Sequence, residues 1–338
     1  MSFREIRGHE HLYRQFAQAA QSGRLGHAYL FVGPEGVGKH TFARALAKTL
    51  LCENRQANVF DACGACSACR WFEAQTHPDF HAVALPPEKH EFPIELIHEV
   101  IRLLGVKAAR GQYRVVLLDD ADTLNEESAN AFLKTLEEPP PYSVLILLGT
   151  SPDYQLPTIR SRCQVVHFRP LPDDVVADWL RQQGLVKSQA EALRIATLAH
   201  GSLTRAQLLA QPEVWNVRQK LHAMLGAGRT ETVELAQTLL SFVEAAGSNT
   251  AAQRQRARLA VEFLMEPLRG ALARRLGLSD PAETLAHALP KSAALAERMS
   301  VPQLLRALDR CLLADFQIDR RLQLPVILEA LADSLTLL

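Results

Sequence analysis

The sequence predicts an α/β domain, a parallel sheet with flanking helices, followed by an all-helical second half. Three observations carry this. A glycine-rich loop, Gly33-Pro34-Glu35-Gly36-Val37-Gly38-Lys39-His40, joins the apolar run Ala28–Val32 to a helix-like stretch from Thr41 to Lys48. Further apolar runs, Tyr113–Leu118, Ser143–Gly149 and Gln164–Phe168, alternate with helical segments, the pattern of a parallel sheet. From Pro170 onward strand signals cease.

The chain has 338 residues, room for two or three domains. Lys+Arg and Asp+Glu both number 37, which excludes a protein that holds nucleic acid by bulk charge alone. The opening Met1-Ser2-Phe3-Arg4-Glu5 is charged where a signal peptide is apolar, and no run has the length of a membrane span. A cytoplasmic protein without a membrane partner is the expectation.

Residues 3–24 read as an amphipathic helix with a lead-in around Gly8-His9-Glu10. The glycine-rich loop comes next. Strand, loop and helix suit a phosphate-binding loop, in which backbone N–H groups turn toward phosphate oxygens and Lys39 reaches the terminal phosphates. Gly33, Gly36, Gly38, Lys39, His40 and Thr41 are the candidate ATP-binding residues. The last position of the pattern departs: His40 stands where a hydroxyl holds magnesium, and imidazole is a poor magnesium ligand. Thr41, one residue on, points elsewhere on a helix.

Six cysteines are present, and Cys52, Cys63, Cys66 and Cys69 lie close together. In an intracellular chain this clustering favours metal over disulfides. Four thiolates close a tetrahedron, so the expectation is a structural Zn2+ within residues 52–69 rather than an open catalytic centre. His77 and His81 follow and read as surface or core residues.

Residues 94–104 have helical spacing at Ile94, Ile97, Ile101 and Leu104. The strand-like run from Tyr113 ends in Asp119 and Asp120, acids that emerge beside the phosphates at the C-terminal edge of a parallel sheet. Asp119 suits magnesium. Asp120 occupies the place of a glutamate that positions the attacking water and is one methylene shorter, a second feature counting against hydrolysis. Asn125–Glu138 reads as a helix stopped by Pro139-Pro140-Pro141. Thr150, at the end of the next strand, is placed to sense a γ-phosphate or a water. Three short helices then span Asp173–Gln183, Ser188–His200 and Thr204–Ala210, and longer ones fill the rest, with a joint at 277–281. The arginines of 254–258 and 274–275 read as solvated faces. The last helix, from Pro325, offers Val326, Leu328, Leu331, Leu335 and Leu338 as its apolar face.

In combination these segments resemble the AAA+ clamp-loader family of bacterial DNA polymerase III. The likeness rests on Ser22-Gly23-Arg24-Leu25, His27–Phe31, the four cysteines, Thr76-His77-Pro78-Asp79, Val115–Asp122, Asn130–Pro140 and Ser161-Arg162-Cys163. It implies an AAA+ P-loop domain over 1–170, a helical lid over 171–211 and a helical collar or oligomerisation domain over 212–338. It implies a hetero-pentamer with γ/τ and δ subunits that loads a sliding clamp onto primer-template DNA. Arg162 matches the family's arginine finger, Thr150 its first sensor and Arg205, one place late, its second. The departures at His40 and Asp120 side with the δ′ branch over the ATP-hydrolysing γ/τ motors, which are the alternative along with other AAA+ ATPases. An independent DNA-binding module is disfavoured by the balanced charge.

Overall fold

The structure is a computed structural model describing residues 2–56, 59–86, 89, 91–110, 112–227, 231–278, 290–320 and 322–337. It divides into two compact units, Met1–Gln207 and Leu208–Leu338. The first contains α1 (Glu10–Gln21), β1 (Ala28–Val32), α2 (Lys39–Leu51), α3 (Ser67–Glu73), β2 (Phe80–Val83), α4 (Ile94–Gly105) and β3 (Arg114–Leu118). It continues with α5 (Glu126–Glu137), β4 (Ser143–Gly149), α6 (Pro157–Arg160), β5 (Gln164–His167), α7 (Asp173–Gln182), α8 (Gln189–Ala199) and α9 (Leu203–Leu209), which runs across the division.

Five strands form one parallel sheet in the order β2-β3-β4-β1-β5. β1, β3 and β4 are buried along their whole length, which is why their apolar runs show no alternation. β1 lies between β4 and β5, with Leu30 opposite Leu147 and Val165. On one face Tyr29, Phe31, Val115, Leu117 and Ile146 join Phe16 and Phe42. On the other, Leu30, Val32, Val116, Leu118 and Leu147 join Ile97, Phe132 and Ile159. Helices therefore cover both faces, and the loops after β1, β3 and β4 share the C-terminal edge, where ligands bind in open α/β sheets.

The segment 3–24 is not one helix. A short 3-10 turn at Phe3–Glu5 is separated from α1, and Gly8 between them has φ +87°. A Cβ there would lie 2.5 Å from Leu171 Cδ2, so close passage of the chain breaks the helix.

The second unit is helical: α10 (Pro212–Gly226), α11 (Thr232–Glu244), α12 (Thr250–Arg275), α13 (Pro290–Arg298), α14 (Val301–Asp319) and α15 (Leu324–Thr336). α12 is central, with Leu259, Val261, Phe263, Leu264 and Leu268 all buried. Arg274 and Arg275 are exposed, but the arginines of 254–258 are not a solvated face. Arg254 donates to Ile318 O at 3.2 Å, Arg256 to Phe242 O at 3.1 Å, and Arg258 pairs with Asp319. A helix surrounded by neighbours turns even its cations toward their carbonyls and carboxylates. On α15 the buried side carries Ile327, Leu328 and Leu331, while Val326 is 59% exposed and does not belong to it. Residues 279–281 and 338 of the expectations lie outside the described residues. Among the described residues no helix is long and apolar enough to cross a membrane.

Candidate functional site

The loop after β1 has the backbone of a phosphate loop. Gly36 and Gly38 have φ +74° and +97°, and Gly38 is the N-cap of α2. Gly33 N–H donates to Thr150 O at 3.0 Å, tying the loop's start to the end of β4. His9 Nε2 lies 2.7 Å from Val37 O and so carries the proton that it donates there. Lys39 and Gly36 both make bonds within the chain. Lys39 Nζ donates to Gly33 O and Pro34 O at 2.5 and 2.8 Å. Leu203 N–H donates to Gly36 O at 2.8 Å, and a Cβ on Gly36 would fall 2.4 Å from Ser202 Oγ. Burial lowers the Lys39 pKa, against the pull of Glu35, Asp122 and Asp119. His40 is exposed on the surface, yet desolvation of its imidazole holds it below its ordinary value against the pull of Asp119. A neutral imidazole beside Asp119 does not fit magnesium, and Thr41 is exposed on α2.

Asp119 and Asp120 follow β3 directly. Asp119 Oδ1 accepts from Asp120 N–H at 3.0 Å. Asp120 has φ 55°, a left-handed backbone that asparagine and aspartate tolerate best among side-chain-bearing residues. Thr150 is held by a residue to which sequence reasoning gave no role. Its N–H and Oγ1 both donate to Asp122 Oδ2 at 2.6 Å, and Gln155 Nε2 donates to Asp122 Oδ1 at 2.7 Å. The Thr150 hydroxyl proton is thereby committed to Asp122, leaving its oxygen lone pairs to face outward. Spacing alone gives no sign of this, because Asp122 meets Thr150 across two strands.

Arg162 sits on the turn between α6 and β5, before the strand, whereas the P-loop follows β1. Its Nε donates to Glu137 Oε1 at 2.8 Å, and its Nη2 bonds the same oxygen. Its Nη1 donates to Thr158 O at 3.1 Å and Ser161 Oγ at 3.3 Å. The side chain stays 31% exposed. Cys163 beside it is buried in the sheet core, and burial pushes its thiol up to about 12, so it anchors the turn rather than reacting. Arg160 makes a looser pair with Asp153 at 3.4 Å. Arg205 is half-buried on α9, and its N–H donates to Ser202 Oγ at 3.2 Å.

Cys52 ends α2, and Cys63, Cys66 and Cys69 lie before and within the first turn of α3. Their sulfurs all lie within 4.8 Å of one another, with Cys52–Cys66 at 3.9 Å and Cys63–Cys69 at 4.0 Å. A tetrahedral Zn–thiolate site has sulfur–sulfur edges of about 3.8 Å, so the set fits a four-thiolate metal. Cys63 N–H donates to Cys52 Sγ, Cys66 N–H to Cys63 Sγ and Cys69 N–H to Cys66 Sγ, at 3.3 to 3.4 Å. The Ala65 and Cys66 N–H groups hold the Cys63 thiol down at about 6, while burial raises Cys52 and Cys69. The neighbouring histidines make other contacts: His77 Nδ1 accepts from Asp79 N–H at 3.1 Å, and His81 Nε2 lies 3.3 Å from Arg114 Nη1.

The first unit matches a known family. Residues 8–172 fit the model described as DNA polymerase III, delta subunit. DNA polymerase III subunit delta′ of Escherichia coli (strain K12) is 34% identical over 209 residues, 62% of each chain. Subunit delta′ of Pseudomonas aeruginosa PAO1 is 40% identical over 198 residues, 57% of this chain and 58% of its own. Subunit tau of Escherichia coli (strain K12) is 34% identical over 235 residues, 67% of this chain and 36% of its own. The chain thus spans about six-tenths of the length of the delta′ relatives it matches. Over residues 8–172, just under half of its length, the chain is similar to the DNA polymerase III delta-subunit family, with proteins named delta′ and gamma/tau among the relatives it resembles.

Proposed function

We propose that this chain is the δ′-type subunit of a clamp loader of DNA polymerase III, working in the cytoplasm as a stator rather than as a motor. It assembles with γ/τ and δ subunits in a hetero-pentamer and helps place a sliding clamp on primer-template DNA. Residues 1–170 form its AAA+ domain, 171–211 its lid and 212–338 its collar. The reading is carried by one contrast. Arg162, held by Glu137 and Thr158, keeps its side chain 31% exposed at a turn, whereas the P-loop carries His40 where its pattern has the magnesium-binding hydroxyl. The chain therefore donates Arg162 to a neighbour's ATP, where a guanidinium offsets charge developing on the transferred phosphoryl group. Asp119, Asp120, Thr150 and Arg205 keep the places of a hydrolytic site and its sensors without a fitting magnesium position beside them. Cys52, Cys63, Cys66 and Cys69 hold a structural Zn2+, which fixes the ends of α2 and α3 when bound.

The test is ATP turnover by the reconstituted loader with clamp and primed DNA. Arg162→Ala is expected to leave assembly intact and slow turnover by about a hundredfold or more, the scale of a lost finger. Unchanged turnover refutes the finger. Magnesium-dependent turnover by the isolated chain, rising in His40→Thr, supports the rival reading of a γ/τ-like motor.

A further inference from the structure

We propose that Glu137 is a positioning residue for Arg162, holding the guanidinium in the pose from which it acts on the neighbouring subunit's nucleotide. The inference rests on the arginine-finger reading above. Glu137 is the last residue of α5, followed by Glu138 and the proline run. Carboxylates are disfavoured at helix C-termini, where the macrodipole is negative, so local preference does not explain an acid there. Arg162 lies 25 residues away and meets it through two of its nitrogens. Glu137 is 53% exposed, and a pair so exposed adds little to folding stability. Its consequence is orientation.

An arginine on an exposed turn samples many rotamers, and a group aimed at a transition state acts best when its direction is set beforehand. Here two elements set it. Glu137, from the end of α5, takes the Nε–Nη2 edge, and Thr158 O, from α6, takes Nη1. The opposite edge keeps an Nη2 N–H for an outside acceptor, and the weakest bond on that side, to Ser161 Oγ at 3.3 Å, is the first to yield. A phosphate oxygen of the neighbour's nucleotide can approach that edge while Glu137 keeps its own.

The experiment uses the full chain reconstituted with its own γ/τ and δ partners, sliding clamp and primed DNA. ATP turnover is measured across ATP concentrations for wild type, Glu137→Ala, Glu137→Gln, Arg162→Ala and the Glu137→Ala/Arg162→Ala double variant. Glu137→Ala is expected to lower kcat about tenfold at unchanged KM, because the lost interaction belongs to the transition state. Glu137→Gln, which keeps an acceptor, recovers part of the rate. In the Arg162→Ala background the Glu137 change has no further effect. Wild-type or faster turnover by Glu137→Ala, beside a slow Arg162→Ala, overturns the positioning role while sparing the finger. A drop that persists in the double variant overturns it as well, since Glu137 then acts on structure at large. Wild-type turnover by Arg162→Ala sinks the finger and the positioning together.

Discussion

Pro267 lies in the middle of α12, where its missing N–H leaves the carbonyl four residues earlier, Phe263 O, without its helical donor. His222, on α10, fills the gap, with Nε2 2.8 Å from that oxygen and 3.5 Å from Glu266, which Arg218 also grips at 2.6 Å. The imidazole is 2% exposed, so an unmet carbonyl there has no water to turn to. His222→Ala is expected to cost about 1–3 kcal/mol of stability, the penalty of a buried unsatisfied polar group, read from the denaturant midpoint. His222→Gln, with a donor of its own, should recover part of it. The residues most legible in the sequence were of a different kind. Gly36, Gly38 and the four cysteines announce themselves because backbone freedom and thiolate chemistry are local properties. Asp122, Glu137 and His222 act across strands or helices, and nothing in their own neighbourhoods marks them.

Among the elements, the strands were plain because β1, β3 and β4 are buried on both faces and read as unbroken apolar runs. The helix ends were less plain. The break at Gly8 comes from Leu171, far along the chain, and the arginines of 254–258 read as solvent-facing because their acceptors lie on α11 and α14. The cysteine module shows how short elements are held. α3 has seven residues, and its docking also draws on Arg110, whose guanidinium stacks 4.5 Å from the Trp71 ring centre. Zinc should be recovered at about one per chain by elemental analysis. Chelation, or Cys66→Ser, is expected to raise hydrogen exchange at the amides of α3 first, while the amides of β1 and β4 stay protected. Uniform protection after complete metal loss would refute a structural metal.

For the molecule as a whole, acid is the direction of weakness. Burial lowers the pKa values of His9, His77 and His81 from 6.5, so below that range the unfolded chain binds protons that the folded chain refuses. Stability then falls as pH drops. Glu73, held at about 2 from an ordinary 4.5 chiefly by Lys48, adds a further loss as pH falls through that interval. The urea midpoint is therefore expected to fall steadily from about pH 7 to about pH 3, and Glu73→Gln should flatten the part of that fall below about pH 4.5. A midpoint unchanged across the interval would contradict these assignments.

The left-handed turn at Asp120 also bears on how the site could be re-engineered. A glutamate at 120 would have to adopt a backbone that costs a longer side chain about 1–2 kcal/mol and aims it by a different path. His40 sits in the first turn of a regular helix, where a threonine fits without any change of backbone. The two positions are therefore unequal handles: one yields to a side-chain swap, and the other asks the end of β3 to be redrawn with it.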